Sequence, residues 1–282
     1  MSGEFVIRAM NLDQVREAVA RADREGWEPG LSDADPFFAA DPEGFFAAEL
    51  DGHRVATISA VRCSPEVVFL GFYIVDPGLR GSGLGKRLWD EVLPRFSGLT
   101  LGGDAVPEQV ANYESEGFRV AYGNARYSSG SLPGSDGLPA PTRPATEVDF
   151  ERLVAFDGRH CFGRRPGFLK LWIEGPGRDS LVTTDHTGAI TGFAASRKTG
   201  LGRRIGPVFA GDAHTAKSLI LALAEGEDGG VAVDVPLPNQ AAVDLLESLE
   251  MERSFETARI YRGPDPDLPL SRIFGISSLE LG

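Results

Sequence analysis

FYIVDPGLRGSGLGK, residues 72–86, carries the strongest local signal of structure and function in this 282-residue chain. It passes from apolar strand residues through a glycine-rich turn into an amphipathic helix. Glycines let backbone N–H groups crowd around an anion at a helix N-terminus, where the helix dipole adds positive potential. Arg80 and Lys86 add full positive charges to the same turn. The stretch therefore predicts a binding site for a phosphate or a pyrophosphate.

Residue spacing separates this turn from two other phosphate-binding loops. A P-loop needs Gly five residues before Gly-Lys and then Ser or Thr, but Arg80 and Arg87 stand at those places. A dinucleotide fingerprint needs Gly at its first, third and sixth positions, and counting from Gly81 the sixth residue is Lys86. Both loops are excluded, and the pattern Arg-x-x-Gly-x-Gly at positions 80–85 remains.

A second motif, NYESEGF at residues 112–118, follows this turn. Arg-x-x-Gly-x-Gly resembles the pyrophosphate-binding motif of the GNAT acetyltransferase superfamily, and residues 112–118 resemble its Tyr-x-x-x-Gly-Phe segment. The segment 26–38 and the order of elements are similar to the YitH-like group of tandem acetyltransferases. The resemblance implies an N-acetyltransferase that uses acetyl-CoA as co-substrate and transfers the acetyl group to a small-molecule amine by direct attack.

The resemblance also implies which residues contact acetyl-CoA. The thioester and pantetheine arm are assigned to main-chain groups of Tyr73, Ile74 and Val75. The pyrophosphate is assigned to Arg80, Gly81, Ser82, Gly83, Leu84, Gly85 and Lys86, and Asn112 completes the set. Tyr113, by its place in Tyr-x-x-x-Gly-Phe, is the expected general acid that protonates the CoA sulfur.

The general base and the residues that bind the acceptor amine are predicted from the chemistry that acetyl transfer to an amine requires. A free alkylamine has a pKa of about 10, so a base must remove its proton near neutral pH. Asp104, at the end of the predicted strand 99–101, is our candidate for this base, and Glu49 is the reserve. Acceptor recognition is expected from an aromatic and acidic lip, with a wall from the second half of the chain: Trp27, Asp33, Phe37 and Asp234.

The chain shows an internal duplication around a Ser-, Gly- and Pro-rich linker at residues 131–141. Residues 1–130 and 142–282 carry the same order of predicted strands and helices, and both close alike. Gly117 lies nine residues before Arg126, and Glu250 lies nine before Arg259. We predict two α+β domains, each with a mostly antiparallel sheet flanked by helices.

The second domain is predicted to be catalytically silent. Residues 206–215, at the place of the glycine-rich turn, contain no Arg-x-x-Gly-x-Gly, and Leu246 stands where the first half has Tyr113. This domain is expected to pack against the first and to form one wall of the acceptor pocket. Residues 272–276 look strand-like, and their docking site is not assigned.

The composition of the chain argues against nucleic-acid binding, a metal site and membrane association. With 28 Lys plus Arg against 41 Asp plus Glu, the net charge of −13 would repel nucleic-acid phosphates. Cys63 and Cys161 have neither metal-ligand nor redox spacing, so no metal site is expected. The N-terminus does not resemble a signal peptide and no 18-residue apolar run occurs, so no membrane association and a cytoplasmic location are expected.

Two alternatives stay open at the level of sequence. The chain can be a non-catalytic acyl-CoA-binding sensor or scaffold that keeps the phosphate loop. It can also acetylate a precursor of a thiol cofactor, as the tandem mycothiol-synthase-like enzymes do. The oligomeric state and the preferred acyl length are not predicted.

Overall fold

The structure, a computed structural model, describes residues 3–134 and 140–282. In the first half it contains β1 (Phe5–Ala9), α1 (Leu12–Arg24), α2 (Ala34–Ala40), β2 (Phe45–Leu50), β3 (His53–Arg62), β4 (Val67–Val75), α3 (Leu84–Val92), β5 (Thr100–Ala105), α4 (Val110–Ser115) and β6 (Arg119–Ser129). In the second half it contains β7 (Arg143–Pro144), α5 (Phe150–Asp157), α6 (Pro166–Glu174), β8 (Arg178–Thr184), β9 (Ile190–Thr199), β10 (Gly202–Ala210), α7 (Ala213–Ala224), β11 (Val231–Pro236), α8 (Gln240–Ser248), β12 (Glu252–Arg262) and β13 (Ile273–Gly275).

The two halves repeat the same order of helices and strands. The run from β1 to β6 reads β-α-α-β-β-β-α-β-α-β, and the run from β7 to β12 repeats it. Even the ends of the matching helices α4 and α8 agree, because Gly117 and Glu250 after them both adopt positive φ angles, +85° and +57°. The α+β prediction is confirmed, and β13 is an addition without a counterpart in the first half.

All described strands belong to one sheet, in which the last strands of the two halves are exchanged. The order is β1-β2-β3-β4-β5-β12-β6-β11-β10-β9-β8-β7, with β13 attached to β10. Strand β12 pairs with β5 of the first half, and β6 pairs with β11 of the second. The predicted domains 1–130 and 142–282 therefore share a sheet, and part of the predicted linker 131–141, residues 135–139, lies outside the described residues.

Three hydrophobic clusters hold helices on this sheet. One lies under α3 and includes Leu88 and Trp89, and another lies under α7 and α8. The third joins both halves through α1, α2, α5 and α6, where the rings of Phe37 and Trp172 stack with centroids 5.9 Å apart. Apolar burial across both halves, together with the exchanged strands, makes them one folding unit. Among the described helices, none combines the length and apolar character that crossing a bilayer requires.

The only two parallel strand pairs among the described residues lie at matching places in the halves. Strand β4 pairs with β5 only from residue 67 to 70, and β10 pairs with β11 only from 203 to 205. Beyond these residues each pair diverges and leaves a slot in the sheet. Each slot begins at a β-bulge, where β4 shifts register against β3 and β10 shifts against β9.

The first slot is open, and the second is filled. In the first half, Phe72 at the bulge adopts a positive φ of +47°, and no strand of the described residues enters between β4 and β5 beyond Leu70. In the second half, β13 lies in the slot, paired antiparallel with Val208 and Phe209 of β10. The backbone N–H of Ile276, just after β13, donates to the carbonyl of Asp234 on β11 at 2.9 Å. The C-terminal strand thus occupies one slot, and the other remains available for a ligand.

Candidate active site

A cavity of about 640 Å³ lies in the open slot. Its lining residues come from the diverging parts of β4 and β5, the glycine-rich turn, the loop after α1, the helix α4, the strand β12 and the C-terminal segment. They include Leu70, Gly71, Phe72, Tyr73, Ile74, Val75, Gly103, Asp104, Ala105, Trp27, Tyr113, Phe255, Thr257, Leu279 and Glu280. One end of the cavity is formed by the predicted phosphate loop, and residues from both halves of the sequence form its walls.

The glycine-rich turn has the geometry of an anion-binding loop. Gly81 and Gly83 adopt φ angles of +78° and +83°, which glycine reaches without steric cost. Helix α3 begins at Leu84 with Gly83 as its N-cap, and no side chain caps its first N–H groups. Those donors and the positive end of the helix dipole are available to an anion.

Gly85 explains how closely the helix approaches the strand. A Cβ at Gly85 would lie 2.6 Å from Val75 Cγ2 and 2.8 Å from the hydroxyl of Tyr73, so any side chain there would separate α3 from β4. Glycine at this position brings the helix N-terminus next to the divergent part of β4. The glycine-rich turn and residues 73–75 of β4, to which the thioester is assigned, therefore line one cavity.

The two cations of the turn are held by carboxylates in this structure. Arg80 pairs with Glu25 at 2.5 Å and donates to the carbonyl of Val75 at 3.3 Å. Lys86 pairs with Asp90 and with Glu116, the second at 3.3 Å. Both side chains are about half exposed, 52% and 54%, and exposed pairs of this kind contribute little to stability. An arriving diphosphate can therefore take over either cation at small cost.

Most of the predicted acetyl-CoA contacts line the cavity, and three do not. Tyr73, Ile74, Val75, Arg80, Gly81, Gly83, Gly85 and Lys86 are lining residues. The hydroxyl of Ser82 donates to the carbonyl of Leu79 at 2.5 Å, and the side chain of Asn112 donates to Gln109 at 2.8 Å. Leu84 is likewise absent from the lining. Side-chain contacts of these three residues with the ligand find no support in the cavity geometry.

Tyr113 lies in the cavity wall in an apolar setting. Its ring packs edge-on against Trp89 and Phe118, with centroids 5.6 and 5.7 Å away, and its hydroxyl makes no hydrogen bond within the described residues. Burial raises the pKa of Tyr113 far above that of an ordinary phenol. The hydroxyl therefore remains protonated at neutral pH, as a proton donor must.

Asp104 lines the cavity, but its contacts argue against the predicted role of general base. Both carboxylate oxygens accept from Arg259 of β12 at 2.8 Å, and one also accepts from Asn124 at 2.7 Å. The side chains of this pair are 0% and 1% exposed. Burial by itself would lower the pKa of the Arg259 guanidinium. The negative charge of Asp104 outweighs this effect and raises that pKa well above its usual value. A proton on Asp104 would leave the buried Arg259 charge unbalanced, which is costly.

The second half repeats this ion pair without the rest of the site. Asp234 follows the parallel segment of β11 as Asp104 follows that of β5, and it faces Arg126 of β6 as Asp104 faces Arg259. The Nε of Arg126 lies 2.7 Å from Asp234 Oδ1. Because the same pair occurs beside a filled slot, we assign Asp104 a structural role that joins the exchanged strands.

The reserve candidate Glu49, unlike Asp104, does not line the cavity. It lies on β2, where it pairs with Arg8 of β1 at 3.4 Å, and it is not a lining residue. Neither carboxylate predicted as a base is therefore both free and in the cavity.

Of the four predicted acceptor residues, only Trp27 lines the cavity. Asp33 is fully buried, because it pairs with Arg178 at 2.6 Å and with Arg197 at 3.0 Å. Phe37 is fully buried in the shared core. Asp234 is held by Arg126, and although burial raises its pKa, the cations Arg126 and Arg204 lower it to about 2. The predictions for Asp33, Phe37 and Asp234 as acceptor contacts are not supported, since charge pairing and apolar packing hold them away from the cavity.

The cavity residues that come from the second half were all missed by sequence reasoning: Phe255, Thr257, Leu279 and Glu280. All four come from the second half, and the exchange of β12 and the course of the C-terminal segment bring them to the first slot. One signal was present in the sequence, since Glu280 is an acidic residue between two leucines in a short apolar tail. Among the described residues, no cluster of three or more His, Cys, Asp or Glu side chains is placed to hold a metal ion.

Comparison with known proteins gives matches in both halves. Residues 12–105 match the model described as "Acetyltransferase (GNAT) family", and residues 153–275 match "Acetyltransferase (GNAT) domain". The chain is 33% identical over 260 residues to holothin acyltransferase of Pseudoalteromonas sp. (strain SANK 73390), covering 92% of this chain and 88% of that one. It is 25% identical over 215 residues to the uncharacterized N-acetyltransferase YitH of Bacillus subtilis (strain 168), covering 76% of each chain.

A solved structure agrees with the described fold. A putative acetyltransferase from Pyrococcus horikoshii superposes with a TM-score of 0.83 over 99% of this chain and 96% of that one, at 17% sequence identity. At that identity the likeness concerns the fold alone. The predicted resemblance to tandem acetyltransferases and to YitH is confirmed.

Proposed function

Because the chain belongs to the GNAT family as a tandem-domain acyltransferase, we propose that it moves an acetyl group from acetyl-CoA to the amine of a small molecule. The first half is the catalytic half, and the second contributes walls of the acceptor pocket. The observation that carries this proposal is the open slot between β4 and β5, with an uncapped helix N-terminus at one end and the partly buried Tyr113 in its wall.

The phosphate end of the slot suits the diphosphate of coenzyme A. Backbone N–H groups of Gly81 and of residues 83–85, with the cations Arg80 and Lys86, can bind its charge together. Strand β4 beyond Leu70 is no longer paired with β5, so its edge has backbone groups free to bind the pantetheine arm. Donors on the same edge can stabilise the thioester oxygen as it gains negative charge.

Tyr113 supplies the proton that the CoA sulfur needs on leaving. Its hydroxyl is protonated at neutral pH, so it can donate a hydrogen bond to the sulfur and pass on the proton as the C–S bond breaks and the thiolate forms. The aromatic rings of Trp89 and Phe118 hold the phenol in position. Attack by the amine, loss of the thiolate and this protonation complete the transfer without a covalent acetyl-enzyme. A cytoplasmic location belongs to the same proposal.

The test measures acetyl-CoA binding and thiol release with the intact chain. We expect calorimetry to show one acetyl-CoA site, and the double variant Arg80→Ala/Lys86→Ala to weaken it about 100-fold or more, since each of the two charge-assisted contacts contributes about 1.5 kcal/mol or more. The matched control Arg164→Ala/Lys170→Ala removes the same charge from the second half, where both side chains are exposed. Absence of acetyl-CoA uptake, or equal weakening by both double variants, would refute the proposed site.

A further inference from the structure

Glu280 is a buried carboxylate without a partner. Its side chain is 2% exposed, and neither carboxylate oxygen has a hydrogen-bond partner within the described residues. Buried carboxylates are normally paired or hydrogen-bonded, because an unpaired buried charge is costly. This residue also lines the cavity of the open slot. An unsatisfied acid in a ligand cavity calls for a ligand that satisfies it.

The C-terminal segment, residues 276–282, brings Glu280 to the β4 bulge. It leaves the filled slot after β13, and the hydroxyl of Ser277 accepts from Arg165 at 2.8 Å. The segment then crosses β4, where a Cβ at Gly71 would lie 2.4 Å from the carbonyl oxygen of Glu280. Only glycine at position 71 permits this crossing. The backbone of Glu280 is therefore held against Gly71, at the start of the open slot.

Other unsatisfied polar groups and several apolar walls surround this place. The hydroxyls of Ser59 and Thr257 are buried without partners, and Ser59 Oγ would lie 3.0 Å from a Cβ at Gly71. The lining nearby is aromatic and aliphatic: Trp27, Phe72, Phe255 and Leu279. A ligand that fits here has an apolar, flat body and a polar group that donates hydrogen bonds.

The charged groups that face Glu280 come from four elements: Arg126 of β6, Arg197 of β9, Arg204 of β10 and Asp33 just before α2. None of them lies within hydrogen-bond distance of its carboxylate. Burial raises the pKa of Glu280, and the opposing effect of Arg204 and Arg197 does not cancel it. The carboxylate is thus a stronger proton acceptor than an exposed glutamate.

We propose that Glu280 accepts the proton of the acceptor amine, and that the acceptor is a primary amine carried on a flat apolar body. This inference rests on the proposed acetyl transfer and names the base and the acceptor class for it. The base comes from the C-terminal segment, whereas the acid Tyr113 comes from α4. The two proton-transfer groups therefore approach the slot from opposite halves of the sequence.

Protons and bonds balance in this scheme. The ammonium group of the acceptor loses one proton to Glu280, and its nitrogen lone pair forms the bond to the acetyl carbon. The C–S bond breaks, and the sulfur receives a proton from Tyr113. The second nitrogen proton restores Tyr113, and Glu280 releases its proton to water. The products are an N-acetyl amine, coenzyme A and one proton.

The kinetic test follows thiol release with tryptamine as the acceptor probe, for the wild type, Glu280→Gln, Glu280→Asp and the exposed control Glu174→Gln. We expect Glu280→Gln to lower kcat/KM for tryptamine about 100-fold and to lose the acidic limb of the pH profile. Glu280→Asp should be slower than the wild type but keep that limb. Glu174→Gln should match the wild type.

The outcomes separate this inference from the proposed function. Acetyl-CoA uptake measured by calorimetry should be equal in the wild type and Glu280→Gln, and its absence in the wild type would refute the proposed function instead. Normal uptake with an unchanged pH profile in Glu280→Gln would overturn Glu280 as the base. Normal uptake without tryptamine-dependent thiol release in the wild type would overturn the acceptor class.

Thermal unfolding tests Glu280 without any acceptor. Its pKa is raised in the folded protein, so the folded state holds the proton more tightly, and stability falls as the pH rises above the unfolded value of about 4.3. Glu280→Gln removes this loss, so we expect a higher Tm than the wild type at pH 7 and a smaller difference near pH 4. A lower Tm for the variant at pH 7 would show that the ionised carboxylate stabilises the fold, and would overturn the inference.

Discussion

The two halves of this protein contain the same helices and strands in the same order, but the slot is open in the first half and filled by β13 in the second. In the first half, α3 begins at a glycine without a side-chain cap, and the slot between β4 and β5 is open. In the second half, the carboxylate of Asp212 accepts from the N–H of Thr215 at 2.8 Å and caps α7. That hydrogen bond lowers the pKa of Asp212, so a negative charge already occupies this helix N-terminus.

The difference shows how one copy of a duplicated fold can lose a ligand site and keep its structure. A carboxylate from the chain replaces the anion, and β13 replaces the ligand in the slot. The C-terminal segment then continues to the open slot, so the filled copy supplies a group to the active one.

The largest expected effect comes from removing the strand that fills the second slot. Ending the chain after Arg272 deletes the buried Ile273, Phe274 and Ile276. At about 1.5–3 kcal/mol for each large side chain, the loss approaches the whole stability of a typical domain. We expect this chain to lack a cooperative urea-unfolding transition.

A shorter truncation is the control for that experiment. Ending the chain after Ser277 keeps β13 and removes Glu280, so it should fold and bind acetyl-CoA but acetylate tryptamine poorly. Cooperative unfolding of both truncated chains with equal midpoints would show that β13 does not hold the second half together.

The next largest effect is expected on the free energy of unfolding when either of the two matching buried ion pairs is broken. Asp104→Asn leaves the buried Arg259 without its counter-charge. Asp234→Asn removes the closer counter-charge of the buried Arg126, which keeps Glu28 at 3.2 Å. We expect each to lower the free energy of unfolding by about 3–5 kcal/mol. Measurement by urea denaturation should place the two variants together. If Asp104→Asn unfolds like the wild type and only abolishes turnover, Asp104 is the base after all and the comparison between the halves fails.

A change at Tyr113 is expected to affect the acetylation rate of the first half and not the stability of the fold. Leu246 stands at the matching place in the second half, and the Tyr113 hydroxyl makes no hydrogen bond in the described structure. Tyr113→Phe should leave the unfolding midpoint unchanged and lower the acetylation rate about 100-fold or more. The control Tyr127→Phe removes a hydroxyl that faces Glu247 at 3.4 Å, outside the cavity, and should keep the wild-type rate. Equal rates in all three proteins would remove Tyr113 from the mechanism.

The smallest effect concerns two glycines with the same backbone conformation. Gly83 in the phosphate loop and Gly188 in a second-half hairpin have φ angles of +83° and +78°, and a Cβ at either would meet open space. Alanine at each should cost about 1 kcal/mol of stability through backbone strain. Only Gly83→Ala should weaken acetyl-CoA binding in calorimetry. An equal effect of Gly188→Ala on binding would mean that the loop is not a specific anion site.

Much of the fold and one end of the site could be predicted from the sequence alone. The α+β class, the duplication and the tandem GNAT resemblance depend on patterns within short windows and on their order along the chain. The glycine-rich turn is also local, since Gly81, Gly83 and Gly85 shape the backbone they belong to. Tyr113 follows from a motif in a single short helix. Such features need no knowledge of distant contacts.

The acceptor end was decided by tertiary structure. Asp104 pairs with Arg259 across 155 residues, and Asp234 pairs with Arg126 across 108, because β6 and β12 are exchanged. Periodicity reports which face of a strand is buried, and it does not report which distant charge lies opposite. Glu280 reaches the slot only because β13 anchors the tail in the other half and Gly71 lets it cross β4. Local spacing determined the glycine-rich turn that we propose as the phosphate site, whereas long-range strand pairing determined which of these carboxylates are held by arginine and which has no hydrogen-bond partner in the described structure.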